Sequence, residues 1–141
     1  MRDLLARTAV AAVAAVVANV LVRALAKAVF DIPDAFEHMA LRAVVLSTLA
    51  GVAAAAPVYA LVVKVASDPD RTFTIVAAVA LALSLLAPLG VALQDPPEYP
   101  GTDAAAVGTL MLMHAATAAI VVVCLTRRRT DGADRLSRAA R

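Results

Sequence analysis

A chain of 141 residues that is 62% hydrophobic, 4% aromatic and without tryptophan, with a mean hydropathy of +0.84, is too apolar for a water-soluble domain of its size. The net charge of +2 is unremarkable in total but uneven along the chain. One cysteine, Cys124, excludes an internal disulfide, a Cys-x-x-Cys redox pair and cysteine spacing for zinc or haem attachment.

Four apolar stretches are long enough to cross about 30 Å of hydrocarbon. Their membrane-embedded parts are predicted near 8–28, 42–63, 72–93 and 104–125, as one transmembrane domain over 1–126. The first begins MRDLLARTAVAAVAAVVANVLVRALA, which has the layout of a signal peptide with Ala24-Leu25-Ala26 as its cleavage site. Against cleavage, Arg23 lies between the apolar run and that site and apolar residues resume at Ala28, so a retained helix is expected. Asp34 with Glu37 has capping-box spacing and predicts that the second helix starts at Ala35. Asp68 followed by Pro69 predicts an N-cap and first turn for the third. QDPPEYPGTD (94–103) reads as a stiff turn. Thr102 or Asp103 can cap the fourth helix, which Gly132 should end at the latest. Residues 127–141 read as a basic tail without fixed structure.

Charge predicts orientation. The N-terminus, the 64–71 loop and the C-terminal tail hold ten of the 13 basic residues. The other side holds only Arg23, Lys27 and Arg42, beside Asp31, Asp34, Glu37, Asp95, Glu98 and Asp103. Both termini are expected in the cytoplasm, and the location is the cell membrane.

Span midpoints fall near Ala18, Val52, Leu83 and Ala115, which puts Asn19, Ser84 and His114 near one plane. Pro57 and Pro88 are the expected kink positions. Each lacks an N–H, leaving the carbonyls of Ala53 and Ser84 without their helical donors, which is costly in hydrocarbon. One expectation is structural: His114 donates to the Ser84 carbonyl or hydroxyl and Asn19 to the Ala53 carbonyl, each bond contributing about 0.6–2 kcal/mol in lipid. The other is functional. Asn19, Arg23 and Lys27 recur every four residues, and with Ser84 and His114 they could line an outward-facing polar pocket for a small anion or amphiphile. The bland reading of Arg23, Lys27 and Arg42 is that their stems reach the outer headgroups.

Chemistry has little support. His38 lies too far out to clamp a haem with His114, and Glu-x-x-His di-iron patterns, a mid-span acid for a serine triad and phosphate-binding glycine loops are absent from the sequence. Met111, Met113 and His114 fit helix packing better than a copper site. No enzymatic activity, cofactor or metal site is expected.

LSLLAPLG (83–90), a short acidic loop, and TLMLMHAATAAIVV (109–122) before a basic stop resemble an uncharacterised family of small four-helix prokaryotic membrane proteins. The resemblance implies the layout and points to Pro88 and His114; it implies no activity.

The sequence therefore predicts an all-α, antiparallel bundle of four transmembrane helices with both termini cytoplasmic. The first functional reading is a non-enzymatic structural or accessory membrane component; the second is a small transporter or ligand-binding protein. Lipid is the expected surrounding, and Gly51-x-x-x-Ala55 or Ala104-x-x-x-Gly108 could join copies or a membrane-protein partner. Nucleic acid is not an expected partner.

Overall fold

The computed structural model describes residues 2–30, 32, 36–93 and 104–139, with only the backbone of Val91 and of 127–139. The described residues are helical apart from short connections: α1 (Arg2–Val29), a 3-10 turn (Glu37–Met39), α2 (Leu41–Val65), α3 (Pro69–Ser84), α4 (Leu86–Ala92) and α5 (Ala104–Ala139). Four stretches, Arg2–Val29, Leu41–Val65, Pro69–Gly90 and Ala104–Thr126, are long and apolar enough to cross a membrane. Helix is the only open structure that meets that demand, because it satisfies each backbone group inside its own segment.

α1 buries one stripe, Ala11, Ala15, Asn19 and Ala26, whose spacing of four, four and seven keeps it on a single face. That face packs against α2 and α5. Three of its four residues are alanines, so the backbones can approach closely. The other side exposes Val10, Val13, Val17, Leu21 and Leu25, a surface suited to acyl chains. Arg7 fastens one end of α1, its Nη1 donating to the Leu125 carbonyl at 2.6 Å.

α2 starts at Leu41, not at Ala35. Asp34 and Ala35 lie outside the described residues, but the chain from Phe36 to Ala40 is a 3-10 turn with extended flanks. Burial decides this. Ile32, Phe36 and Met39 are all turned inward, and Arg23 Nε donates to the Met39 carbonyl at 2.6 Å. A helix begun at Ala35 would set Phe36 and Met39 on one face but tie the Met39 carbonyl into the helical ladder. Once started, α2 is continuous through Pro57, which lies on its exposed side.

The α2–α3 connection is short because it is capped as expected. The Asp68 carboxylate accepts from the Arg71 backbone N–H at 3.2 Å, and Pro69 occupies the first turn. Tyr59 Oη donates to Asp70 at 3.0 Å, and its ring meets Phe73 edge-on at 4.9 Å. Above that clasp α3 contributes no further buried side chain; Phe73 is its single one. The helix is interrupted at Leu85, three residues before Pro88, whose missing N–H and ring clash with the preceding turn account for the break. Beyond it α4 leans on α5, with Pro88 buried.

The predicted turn 94–103 and the caps Thr102 and Asp103 lie outside the described residues. α5 does not stop by Gly132 and the basic tail is not structureless: helix continues to Ala139. Arg, Ala and Leu after Arg127 are good helix formers, and Gly132 costs only about 1 kcal/mol against Ala.

Side chains pack in two apolar clusters. One joins Ala11, Ala15, Val52, Tyr59, Val62, Phe73, Val121 and Leu125. The other joins Ala26, Ile32, Phe36, Met39, Val44, Ala106, Leu110 and Met113. Between them, in sequence position on α1, α2 and α5, stands a polar layer.

Candidate ligand cleft

The polar layer is built around Asn19, which is 3% exposed. Its Nδ2 donates two hydrogen bonds of 2.9 Å, to Thr48 Oγ1 on α2 and to Thr117 Oγ1 on α5. One amide thus ties three helices at one height. Thr48 in turn donates its hydroxyl hydrogen to the Val44 carbonyl at 2.6 Å. Because that hydrogen is committed, Thr48 can only accept from Asn19, which fixes the amide with its nitrogen toward the threonines. Asn19 Oδ1 is buried and has no hydrogen-bond partner.

Beside this layer runs a cleft of about 430 Å³ between α2, α3 and α5, within the size range of small-molecule pockets. Its cause is legible in the residues that face across it: Gly51, Ala54, Ala55, Ala77, Ala80 and Ala118 are too small to fill the space. A Cβ added at Gly51 would meet nothing within 4 Å. α3 is held at its base by Phe73 and, past the break, by the lean of α4 on α5, so its middle stands off. On α2 the lining extends from Val44 to Val58, about 21 Å by helical rise.

The walls sort by position. Toward the 36–41 turn lie His38, Ser47, Thr48, Ser84, His114 and Thr117, with Asn19 at the same level as the threonines. Toward the Tyr59–Phe73 clasp the lining is Val58, Phe73, Val76 and Val121 with alanines between. No Asp, Glu, Lys or Arg is among the described residues that line it.

Three of the four residues expected in a polar cluster, Asn19, Ser84 and His114, line this cleft. Arg23 does not; its guanidinium is turned to the Met39 carbonyl. The expected bonds to carbonyls opposite the prolines are not the ones formed. His114 Nδ1 lies 2.8 Å from the Leu110 carbonyl one turn back in its own helix, Ser84 Oγ donates to the Leu81 carbonyl at 2.8 Å, and Asn19 serves the threonines. The reason is proximity: each donor finds an acceptor within its own turn or directly across the α1 interface. A carbonyl only accepts, so His114 Nδ1 carries the hydrogen of this bond. Gly51 and Ala55, expected as an association stripe, are among the residues that line the cleft.

Thr48 and Thr117 were not singled out by sequence. Their depth gave a signal, since both lie within four residues of a span midpoint. Threonine in a helix, however, ordinarily bonds the carbonyl four residues back and attracts no notice.

No curated protein and no solved structure matches this chain. A family model matches residues 1–131, nearly the whole length. The chain belongs to DUF6069, a family of unknown function.

Proposed function

We infer that this is a multi-pass protein of the cell membrane that performs no chemistry and binds a small, largely apolar molecule in the cleft between α2, α3 and α5. The single observation that carries this is a space of about 430 Å³ walled by small side chains, with the buried Asn19 among its lining residues. A helix packing serving only as scaffold gains by filling such space with larger side chains. The helices run alternately up and down with both termini in the cytoplasm. The pairing of Ala11 and Ala15 with Tyr59 and Val62, and of Ala26 with Val44, supports the alternation; the placement of ten basic residues on one side supports the direction. The cleft's polar end then faces outward.

Gly51→Leu tests the reading. The new side chain has room, occupies the cleft and replaces a helix-weakening glycine. Purified from membranes, the natural protein should retain a co-purifying small amphiphile detectable by mass spectrometry of the extract, and the variant should lose it while folding normally. Equal recovery from both proteins contradicts the reading.

A further inference from the structure

The inward stripe of α1 has an ionised member at its start. Arg7 stands four residues before Ala11, on the face that packs against α2 and α5, and it is partly buried, with Leu4 packed against the core beside it. Its Nη1 donates to the Leu125 carbonyl, which brings the start of α1 to the end of the fourth span, at Thr126. That neutral bond leaves the charge unbalanced. Nε is sealed inside without a partner, and Nη2, which is not sealed, has none among the described residues. The described acids at this end are turned elsewhere. Asp3, one turn back, is exposed and makes no ion pair with Arg7; Asp68 caps α3 and Asp70 accepts from Tyr59. A cation drawn beneath apolar side chains with no counter-charge is costly, and an anion that reaches it removes the cost.

The surroundings say which anion. Exposed side chains at this level are apolar on both helices, Leu5 and Val10 on α1 and Val123 on α5, so Arg7 lies where hydrocarbon gives way to head groups. A phosphodiester meets a guanidinium at that depth with charge-assisted hydrogen bonds, while its acyl chains cover the valines. Net charge then separates phospholipids from one another. Arg127, Arg128 and Arg129 follow Leu125 within about 6 Å of helical rise. With Arg2 and Arg7 they make five basic residues at this end of α1 and α5, against Asp3 and Asp131. A zwitterionic head group brings a second cation into that field; an anionic one does not.

We propose that the α1–α5 seam at the end carrying both termini binds an anionic glycerophospholipid, its phosphodiester paired with the Arg7 guanidinium and Arg127–Arg129 adding longer-range attraction. The site is separate from the cleft between α2, α3 and α5.

Thermal unfolding of the full chain in vesicles, followed by helical circular dichroism, tests this. Phosphatidylglycerol mixed into phosphatidylcholine should raise Tm by about 4 °C or more over phosphatidylcholine alone, and about 0.5 M salt should reduce the shift. Glycerophosphate in solution, with phosphatidylcholine vesicles, should not reproduce it. Arg7→Met, which replaces the charge by an apolar chain of similar length, should lose most of the shift. Arg127→Gln, Arg128→Gln and Arg129→Gln together should keep at least half of it. Should Arg7→Met not fold, Arg7→Gln, whose amide can still donate to the Leu125 carbonyl, takes its place. Equal Tm in both vesicle types overturns the proposal. A shift matched by glycerophosphate overturns the lipid as its source. A shift kept in the Arg7 variant, or lost with the three tail arginines, overturns the assignment to Arg7.

Discussion

At the scale of single residues, the two polar side chains that draw attention in so apolar a chain have different weights. Asn19 bridges two neighbouring helices through bonds for which lipid offers no substitute. Replacing it with Ala removes both bonds and opens a small void, and should lower stability by about 1–3 kcal/mol. His114 duplicates a bond its own backbone N–H already makes, since Leu110 is four residues back. His114→Leu should therefore move Tm by no more than about 2 °C, well below the effect at Asn19. Thermal unfolding of the two variants side by side checks the contrast; equal losses contradict it. Arg23 belongs with Asn19 as a structural residue, because its Nε holds the Met39 carbonyl and with it the turn that closes one end of the molecule.

At the scale of elements, α3 is the lightly held helix, and Phe73, 2% exposed, is the reason it stays docked at its base. Phe73→Ala should cost about 3–5 kcal/mol. Tyr59→Phe, which removes the hydroxyl that bonds Asp70 and keeps the ring, should cost nearer 1 kcal/mol. Chemical or thermal denaturation of both variants measures the difference. The four spans, the Asp68–Pro69 start and the interruption near Pro88 were legible because they follow from hydropathy length and backbone chemistry alone. The start of α2 was not. Asp34 and Glu37 satisfy the capping pattern, but inward burial of Phe36 and Met39 outweighs a cap of about 1 kcal/mol. The plane containing Asn19, Ser84 and His114 was readable by counting residues, while their partners were not. Counting gives height and leaves rotation about each helix axis open, and rotation decides whether Asn19 meets a proline-exposed carbonyl or Thr48. Small-residue spacing was ambiguous for a related reason: Gly51 and Ala55 suit a helix contact and an open cleft equally until α3 is placed.

At the scale of the whole molecule, the chain is two apolar clusters separated by one hydrogen-bonded layer, with a cleft alongside where facing side chains are small. The proposed direction of insertion rests on the charge distribution. In a Cys124→Ser background, Glu37→Cys should react with a membrane-impermeant maleimide on intact cells and Ser67→Cys should react only after permeabilisation. The reverse pattern contradicts cytoplasmic termini and would put the polar end of the cleft on the inner side. The central claim is that Asn19 ties α1 to α2 and α5 through two threonine hydroxyls beside an open, ligand-sized cleft. A high-resolution structure of the full chain in lipid nanodiscs tests it most directly. The account predicts the Asn19 nitrogen within hydrogen-bond distance of Thr48 and Thr117 and elongated density in the cleft between α2 and α3. Collapse of α3 onto Gly51 and Ala118 with no space between them, or Asn19 turned outward to acyl chains, would contradict it.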